Sequence, residues 1–443
     1  MRRIRESAGV APPELLSAIR SRALPLRAPD ALDPVLERAG AARCVLLGEA
    51  SHGTHEFYTV RADLSRRLVR EHGASFIAVE GDWPDCYRVN RYVKGYADAG
   101  GSAREVLHAF ARWPTWMWAN EEVVDFVEWL RRENQGRPAE RRVGFYGLDV
   151  YSLWDSLHEA IRYVERVAPE VLPAARSALR CFEPFAEDAA GYARATILMP
   201  DWCQQEAVDL LVQVRRAAPE HRGDGDDWHL AAEMNALVVK DAETYYRTMV
   251  RSNAESWNVR DRHMAETLDR LMAHHGPQAR GIVWAHNTHV GDARFTDMAE
   301  QGEVNIGQLA RERYGEQNVL LVGFGTHRGT VIAGREWDAP MEVMRTPVAR
   351  PASWEDVLHD ALAGDGLIVL DGDRSPEIVM DARGHRAIGV VYRPEYEYYG
   401  NYVPTVLPRR YDALIFVDET QALRPLHLKA RVEEAPITYP TGV

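Results

Sequence analysis

A carboxylate and an imidazole three positions apart, Glu49 and His52, open a cluster that continues through His55, Glu56 and Arg61. Histidine is the side chain best suited to moving protons near neutral pH. A carboxylate held against one ring nitrogen fixes the tautomer and leaves the other nitrogen free to deprotonate a water. This is the orienting logic of a catalytic triad without a protein nucleophile. Ser51 raises the rival possibility of a nucleophile elbow. That motif reads G-x-S-x-G, and here two residues separate Gly48 from Ser51, so the spacing fails. Ser51 then reads as a helix-start cap or a hydrogen bond within the site. His55 alone reads as structural.

More candidates lie far along the chain. Glu80 falls near the end of "SFIAVEGD", Asp149 near the end of "RRVGFYGLDV", and His286 and His289 within "ARGIVWAHNTHVGD". The H-x-x-H spacings of "HGTH" and "HNTH" raise a bound metal as an alternative. Zinc motifs on helices favour a spacing of four, no cysteine cluster supports a site, and the nearby arginines repel a divalent ion. The phosphate-cradling glycine motifs of nucleotide-binding proteins are absent. Neither metal nor cofactor is expected.

These residues need elements to bring them together. "RCVLLG" (43–48) and "SFIAVEGD" (75–82) read as strands, and residues 54–72 between them carry a helical period through Phe57, Val60, Leu64 and Leu68. That is a βαβ unit with a right-handed crossover. Residues 141–150 and 279–292 repeat the pattern of a strand followed by polar chemistry. Between them, 151–275 read as helices with Pro-rich and Gly/Asp-rich breaks. The runs 318–334, 366–373, 386–393 and 411–419 read as further strands. The expected fold is three-layer α/β, mostly parallel, with an inserted helical subdomain. Residues 1–150 and 276–443 would form the catalytic core and 151–275 the insertion. In open α/β sheets ligands bind at the carboxyl ends of strands, and this topology would gather most of Glu49, His52, Glu80, Asp149, His286 and His289 at one edge. Strand-to-loop junctions are polar in general, which accounts for one or two such residues more readily than for six.

Two arginines sharpen the case. At about 100° per residue, Arg61 falls about 40° from Phe57, inside the apolar face of its helix. Arg260 sits likewise in the stripe of Trp257, Met264, Leu268 and Leu271, beside Asp261. Each either snorkels to the rim or is buried against a carboxylate. Glu49 and Glu80 are the nearest carboxylates to Arg61 by topology, and an Arg61–Glu80 pair is expected. The aromatics of "RWPTWMWANEEVVDFVEWL" (112–130) suit either the wall of a cleft or helix packing.

Composition sets the outer limits. The chain has 443 residues, of which 46% are hydrophobic, ample for a large core. A net charge of −13 argues against a nucleic-acid partner. No run of apolar residues is long enough to span a membrane. "MRRIRESAGVAPPELL" lacks the apolar centre of a signal peptide. Cys44, Cys86, Cys181 and Cys203 show no C-x-x-C spacing and read as reduced thiols of a cytoplasmic protein.

The blocks "LLGEASHGTHEFYTVRADLSRRLV", "FIAVEGDW", "ESWNVRDRHMAETL", "VWAHNTHV", "GFGTHRGTV" and "RRYDALIFVDET" span roughly residues 45–420. In order and spacing they resemble the erythromycin esterase family, which also includes proteins labelled as succinoglycan biosynthesis proteins. The resemblance implies a metal-independent hydrolase fold, and family members of assigned activity open a macrolide lactone by water attack, an antibiotic-resistance chemistry. It matches the family's catalytic Glu and His to Glu49 and His52, its site Arg to Arg61, its second site Glu to Glu80, and its late histidines to His286 and His289. It does not fix the substrate.

The expected activity is hydrolysis of a small-molecule carboxylic ester or lactone, with His52 as base on water and Glu49 orienting it. Arg61 and Glu80 would hold the geometry, and His286 or His289 would polarise the carbonyl or protonate the leaving alkoxide. Two alternatives remain open: a secondary-metabolite tailoring enzyme using the same base for cyclisation or acyl transfer, and a metal- or haem-binding protein with His286 and His289 as ligands.

Overall fold

Strands covered by helices on both sides must be apolar on both faces, and the central runs here are. The computed structural model describes residues 10–26, 30–185, 188–199, 202–217 and 227–427. The arginine-bearing residues 1–9 and most of the Gly/Asp-rich break, 218–226, lie outside the described residues. We number the strands β1 (Ala23–Pro25), β2 (Cys44–Leu47), β3 (Phe76–Asp82), β4 (Gly144–Asp149), β5 (Gly281–Trp284), β6 (Val319–Ala333), β7 (Glu342–Thr346), β8 (Gly366–Val369), β9 (Arg383–Arg386), β10 (Tyr402–Thr405) and β11 (Ala413–Thr420). One sheet runs β1-β8-β11-β6-β2-β5-β3-β4, with β7 against β6. From β11 to β4 every pairing is parallel, whereas β1, β8 and β7 add antiparallel pairings. The fold is three-layer α/β with a mostly parallel sheet.

Alternation along the strands builds the layers. Val45, Leu47, Ile77, Val79, Phe145, Ile282 and Trp284 face one way, into a core shared with the helices His55–Glu71, Trp83–Lys94 and Glu121–Gln135. Leu46, Ala78, Tyr146, Leu148 and Val283 face the other way. There they meet the helices Leu153–Val167, Trp228–Met249 and Asn253–His274, part of the helical stretch between β4 and β5. That stretch packs its apolar residues into the same core as the sheet.

Register then aligns the strand ends. Leu47 lies beside Trp284, and Trp284 beside Val79, while Asp82 pairs with Asp149 across an irregularity in β3 and β4. Just past that row come Glu49, Glu80 and His286 on three neighbouring strands. Gly48 keeps two of the loops in contact: a Cβ there would come within 2.2 Å of Asn287 Oδ1, which accepts from the Phe324 N–H.

Two expectations fail. Residues 386–393 are not a strand of the sheet. Arg383–Arg386 instead pairs with β10 in a separate two-stranded sheet, and the apolar residues after it cross the turn after β2 and the end of β6, bridging Ser51 at Ile388 and Gly334 at Val391. Their burial comes from that crossing. The cysteines are not all reduced either. Cys181 and Cys203 form a disulfide joining the helices Leu172–Phe182 and Gln204–Arg216, while Cys44 and Cys86 are free and buried. Helix packing brings together two cysteines whose separation of 22 matches no compact motif. Thiol chemistry therefore does not argue for a reducing compartment. Among the described residues no helix is long and apolar enough to cross a membrane.

Candidate active site

The turn after β2 presents Glu49 and His52, both buried, and the helix His55–Glu71 begins immediately behind them. The Glu49 Oε1 carboxylate oxygen lies 2.9 Å from His52 Nδ1. An ionised carboxylate only accepts, so this contact places the proton of a neutral ring on Nδ1 and leaves a lone pair on Nε2. His52 Nε2 is 4.0 Å from Glu80 Oε1, beyond hydrogen-bond range. Ser51 does not cap the helix; its hydroxyl meets that of Thr54. His55 bonds Glu122 Oε1 through Nδ1 at 2.6 Å, away from Glu49.

Arg61 is fully buried, but the expected Arg61–Glu80 pair does not form. Its Nη2 donates to Glu49 Oε2 at 2.7 Å, and its guanidinium lies over the rings of Tyr58 (4.3 Å) and Trp284 (5.1 Å). The physical reason is strand order. β5 separates β2 from β3, so the helix leaving β2 returns over Glu49. Arg260 takes the place expected for Arg61. It donates to Asp149 through Nε (2.9 Å) and Nη2 (2.7 Å), and to Glu80 Oε1 through Nη2 (2.7 Å).

Glu80 is the junction of the site. Its Oε2 accepts the His286 backbone N–H at 2.7 Å, and its Oε1 lies 3.4 Å from His289 Nε2. Burial works against its charge, but His289, His52 and Arg260 together outweigh that and hold its carboxyl well below the usual range. For Asp149, burial likewise opposes the charge and Arg260 overcomes it, lowering the carboxyl. Both acids are ionised at neutral pH.

The two late histidines differ. His289 Nδ1 meets both oxygens of Asp261, at 3.0 and 2.9 Å, and Trp257 stacks on its ring at 4.6 Å between centroids. Burial disfavours the charged ring, yet Asp261 and Glu80 prevail and raise His289 to about 9. The protonated ring turns its Nε2–H toward Glu80; only the neutral ring could accept from Arg260 Nη1, 3.1 Å away. His286 has no such carboxylate at Nδ1, which accepts from the Thr288 backbone N–H at 3.3 Å and lies 2.8 Å from its hydroxyl. Burial, reinforced by His52, pushes His286 well below the ordinary value, so it is neutral. Its proton sits on Nε2, which makes no well-formed hydrogen bond, the Ala50 carbonyl being the neighbouring acceptor. The His52 and His286 rings are 4.9 Å apart between centroids.

A cleft opens on this cluster, lined among others by His52, Glu80, Asp149 and Arg260. The aromatic segment serves both roles considered for it. Met117 and Trp118 line the cleft while packing in the same core as Trp116, Phe126 and Trp129, and Phe110, just before the segment, lines the cleft as well. Asp82, Asp85, Arg112, Trp337 and Val390 also line it, and sequence reasoning singled out none of these for the site. Asp82 and Asp85 follow Glu80 in "VEGDWPD", a signal that was available; Trp337 and Val390 arrive from distant loops with none. Among the described residues no group of three or more His, Cys, Asp or Glu side chains is arranged to hold a metal ion.

A profile of the family described as erythromycin esterase matches residues 69–420. The chain belongs to the erythromycin esterase family. It is 22% identical to the erythromycin esterase type II of Escherichia coli over 323 residues, 69% of this chain and 74% of that protein. A crystal structure of a succinoglycan biosynthesis protein superposes with a TM-score of 0.75 at 20% identity, covering 93% of this chain and 98% of that one. A mutant of the erythromycin esterase EreC in its open conformation superposes with a TM-score of 0.65 at 19% identity, covering 94% and 98%. At such identities the structural likenesses speak for the fold.

Proposed function

We propose that this protein hydrolyses a carboxylic ester or lactone, with His52 as general base on a water molecule. The observation that carries the reading is the placement of His52: Nδ1 against Glu49 at 2.9 Å, and Nε2 across a 4.0 Å gap from Glu80, in the wall of the cleft. A water between Nε2 and Glu80 would give one hydrogen to each and aim a lone pair at the substrate carbonyl carbon. As that water attacks, its proton passes to His52 Nε2, and Glu49 balances the imidazolium. Arg61 holds Glu49 from behind. Arg260 and His289 hold Glu80 ionised and in place, and Asp149 fixes the Arg260 guanidinium.

Of the two late histidines, His286 is the one assigned to the carbonyl oxygen. It is neutral, its Nε2–H is only weakly engaged, and its ring neighbours His52, whereas both nitrogens of His289 face carboxylates. The tetrahedral intermediate collapses by expelling the alkoxide, which takes back the proton held by His52. The test is mass spectrometry of an ester and lactone panel incubated with the enzyme in isotopically labelled water. One labelled oxygen in the acid product, with no ester formed from added methanol, is the expected result. Transfer to methanol without hydrolysis would favour acyl transfer and refute the assignment.

A further inference from the structure

The proposed reaction leaves one fully buried pair of acid and histidine unused. Glu355, in the helix Trp354–Ala361, sets Oε1 2.6 Å from His385 Nδ1 and with the same oxygen accepts the Arg386 backbone N–H at 2.9 Å. Both side chains are buried. The other ring nitrogen, Nε2, lies 3.2 Å from the side-chain nitrogen of Asn287. β6 fixes the orientation of that amide, because Nδ2 donates to the Phe324 carbonyl at 2.6 Å and Oδ1 accepts the Phe324 N–H at 3.2 Å. The second hydrogen on Nδ2 therefore goes to His385, and Nε2 accepts it. A ring that accepts at Nε2 and faces a carboxylate at Nδ1 carries its single proton on Nδ1 and is neutral. Burial opposes the Glu355 charge, but His385, helped by Arg386, outweighs it, and the carboxyl lies below its ordinary range.

Asn287 is where this pair meets the site. It follows His286 directly, and its backbone N–H donates to the Glu49 carbonyl at 2.8 Å. Its own carbonyl accepts Arg410 Nη2 at 3.0 Å. We propose that His385 is a positioning residue: set between Glu355 and Asn287, it locks the Asn287 amide and, through it, the placement of His286 and Glu49. The roles of His286 and Glu49 rest on the hydrolase reading; the relay from Glu355 to Asn287 stands on its own geometry. Protonation of His385 breaks that relay. Nε2 then bears a hydrogen that faces the Asn287 NH2, donor against donor, and the amide can answer only by turning, at the cost of both bonds to Phe324. The other groups around the ring do not replace the lost acceptor. Tyr411 presents its ring edge-on at 5.7 Å, and the Arg386 guanidinium is turned to Glu397 and to the carbonyls of Thr326, His327 and Pro347. His385 must be neutral for the site to be set, as His52 must be to act as base. Two protonations, one at each ring, therefore switch the site off as pH falls.

Two measurements on the full-length protein test this. The first is the pH profile of kcat/KM on an ester or lactone that the protein hydrolyses. Its acid limb should steepen to a slope approaching two, and His385→Gln, which keeps an acceptor toward Asn287 but does not titrate, should reduce that slope to one. His385→Phe keeps an aromatic ring and loses the acceptor; it should lower kcat about ten-fold or more with little change in KM. His385→Gln should recover most of that loss. A wild-type limb of unit slope that His385→Gln leaves unchanged, or wild-type kcat in folded His385→Phe protein, overturns the proposal. The second measurement follows histidine ring nitrogens by NMR and needs no turnover. At neutral pH His385 should show the Nδ1–H tautomer, and its protonation on acidification should shift the ring resonances of His286. In His385→Gln that shift should disappear. A His385 ring charged at neutral pH, or one that titrates without moving His286, overturns the relay. If no ester or lactone is hydrolysed while the coupling is observed, the hydrolase reading falls and the relay stands. Hydrolysis with unit slope and no coupling does the reverse.

Discussion

Deleting the Arg260 guanidinium tests the charged framework most directly. Arg260→Met keeps most of the side-chain stem and removes the charge that bridges Glu80 and Asp149, with contacts of 2.7 to 2.9 Å. All three groups are buried, so solvent screening offers little relief. Removing one partner of a buried pair costs about 3–5 kcal/mol, because the other charge is left uncompensated. Two acids lose their cation here, but each keeps other donors: the Val150 N–H on Asp149 at 2.8 Å, and the His286 N–H on Glu80. The expected loss is therefore near the top of that range rather than double it, about 5 kcal/mol.

The pH dependence gives the test its discriminating power. In the wild type Glu80 and Asp149 are both depressed, so they stabilise the fold above their unfolded values and lose that contribution as pH falls. Without Arg260, burial is less opposed and both folded-state values rise. The variant is then penalised at neutral pH and relieved in acid by protonation. The stability gap between the two proteins should be widest near neutrality and narrow toward about pH 4. Urea unfolding across that range measures it. Adding Asp149→Asn to Arg260→Met should recover part of the loss, because one orphaned charge disappears. A gap below about 1 kcal/mol, typical of an exposed pair, or one that does not change with pH, would refute the reasoning.

His52→Ala should fold like the wild type and lose on the order of 10²–10⁴ in kcat; Glu49→Gln should be impaired as well, and wild-type turnover by folded His52→Ala protein would remove His52 from the chemistry. A double-mutant cycle on unfolding free energies should couple Arg61 to Glu49, with Arg61→Met and Glu80→Gln closer to additive; the opposite ranking would contradict the 2.7 Å contact. His289 is raised to about 9, so its contribution is complete below the ordinary histidine value and fades as pH climbs through 9. Unfolding free energy should accordingly fall between neutral and alkaline pH, and His289→Gln should flatten that limb. Denatured without reductant, the chain should show two titratable thiols, Cys44 and Cys86, with Cys181 and Cys203 recovered as one linked peptide; four free thiols would argue against the bridge.

Much of this was legible in the sequence, and the failures have causes that can be named. Apolar runs ending in acid or histidine gave β2, β3, β4 and β5, since buried parallel strands leave little room for polar residues before the loop. The helical period marked Arg61 and Arg260 as charges on apolar faces, and both proved buried. Which carboxylate each would take was not legible: Glu49 and Glu80 were both candidates for Arg61, and the choice depends on β5 lying between β2 and β3, a fact of strand order that no local pattern encodes. The run 386–393 misled for a related reason. Ile388 is as buried as a strand residue, but what buries it is a crossing over the turn of Ser51. Cys181 and Cys203 carried no signal because helix packing, not motif spacing, brings them together.

The opposite charge states of His286 and His289 narrow the choice of base. Both rings are fully buried, come from the same short turn, and lie near Glu80. The difference is the group at Nδ1: Thr288 for one, the Asp261 carboxylate for the other. One ring is thus a neutral hydrogen-bond donor, and the other a fixed cation that helps depress Glu80. A carboxylate held well below its usual range is a poor acceptor for the proton of an attacking water, although Glu80 is otherwise well placed for it. Imidazole is intrinsically the stronger base of the two. In the proposed reaction, His289 and Arg260 keep Glu80 ionised, so that it orients the water and His52 takes the proton. Replacing His289 should therefore weaken catalysis through Glu80, without His289 ever touching the substrate.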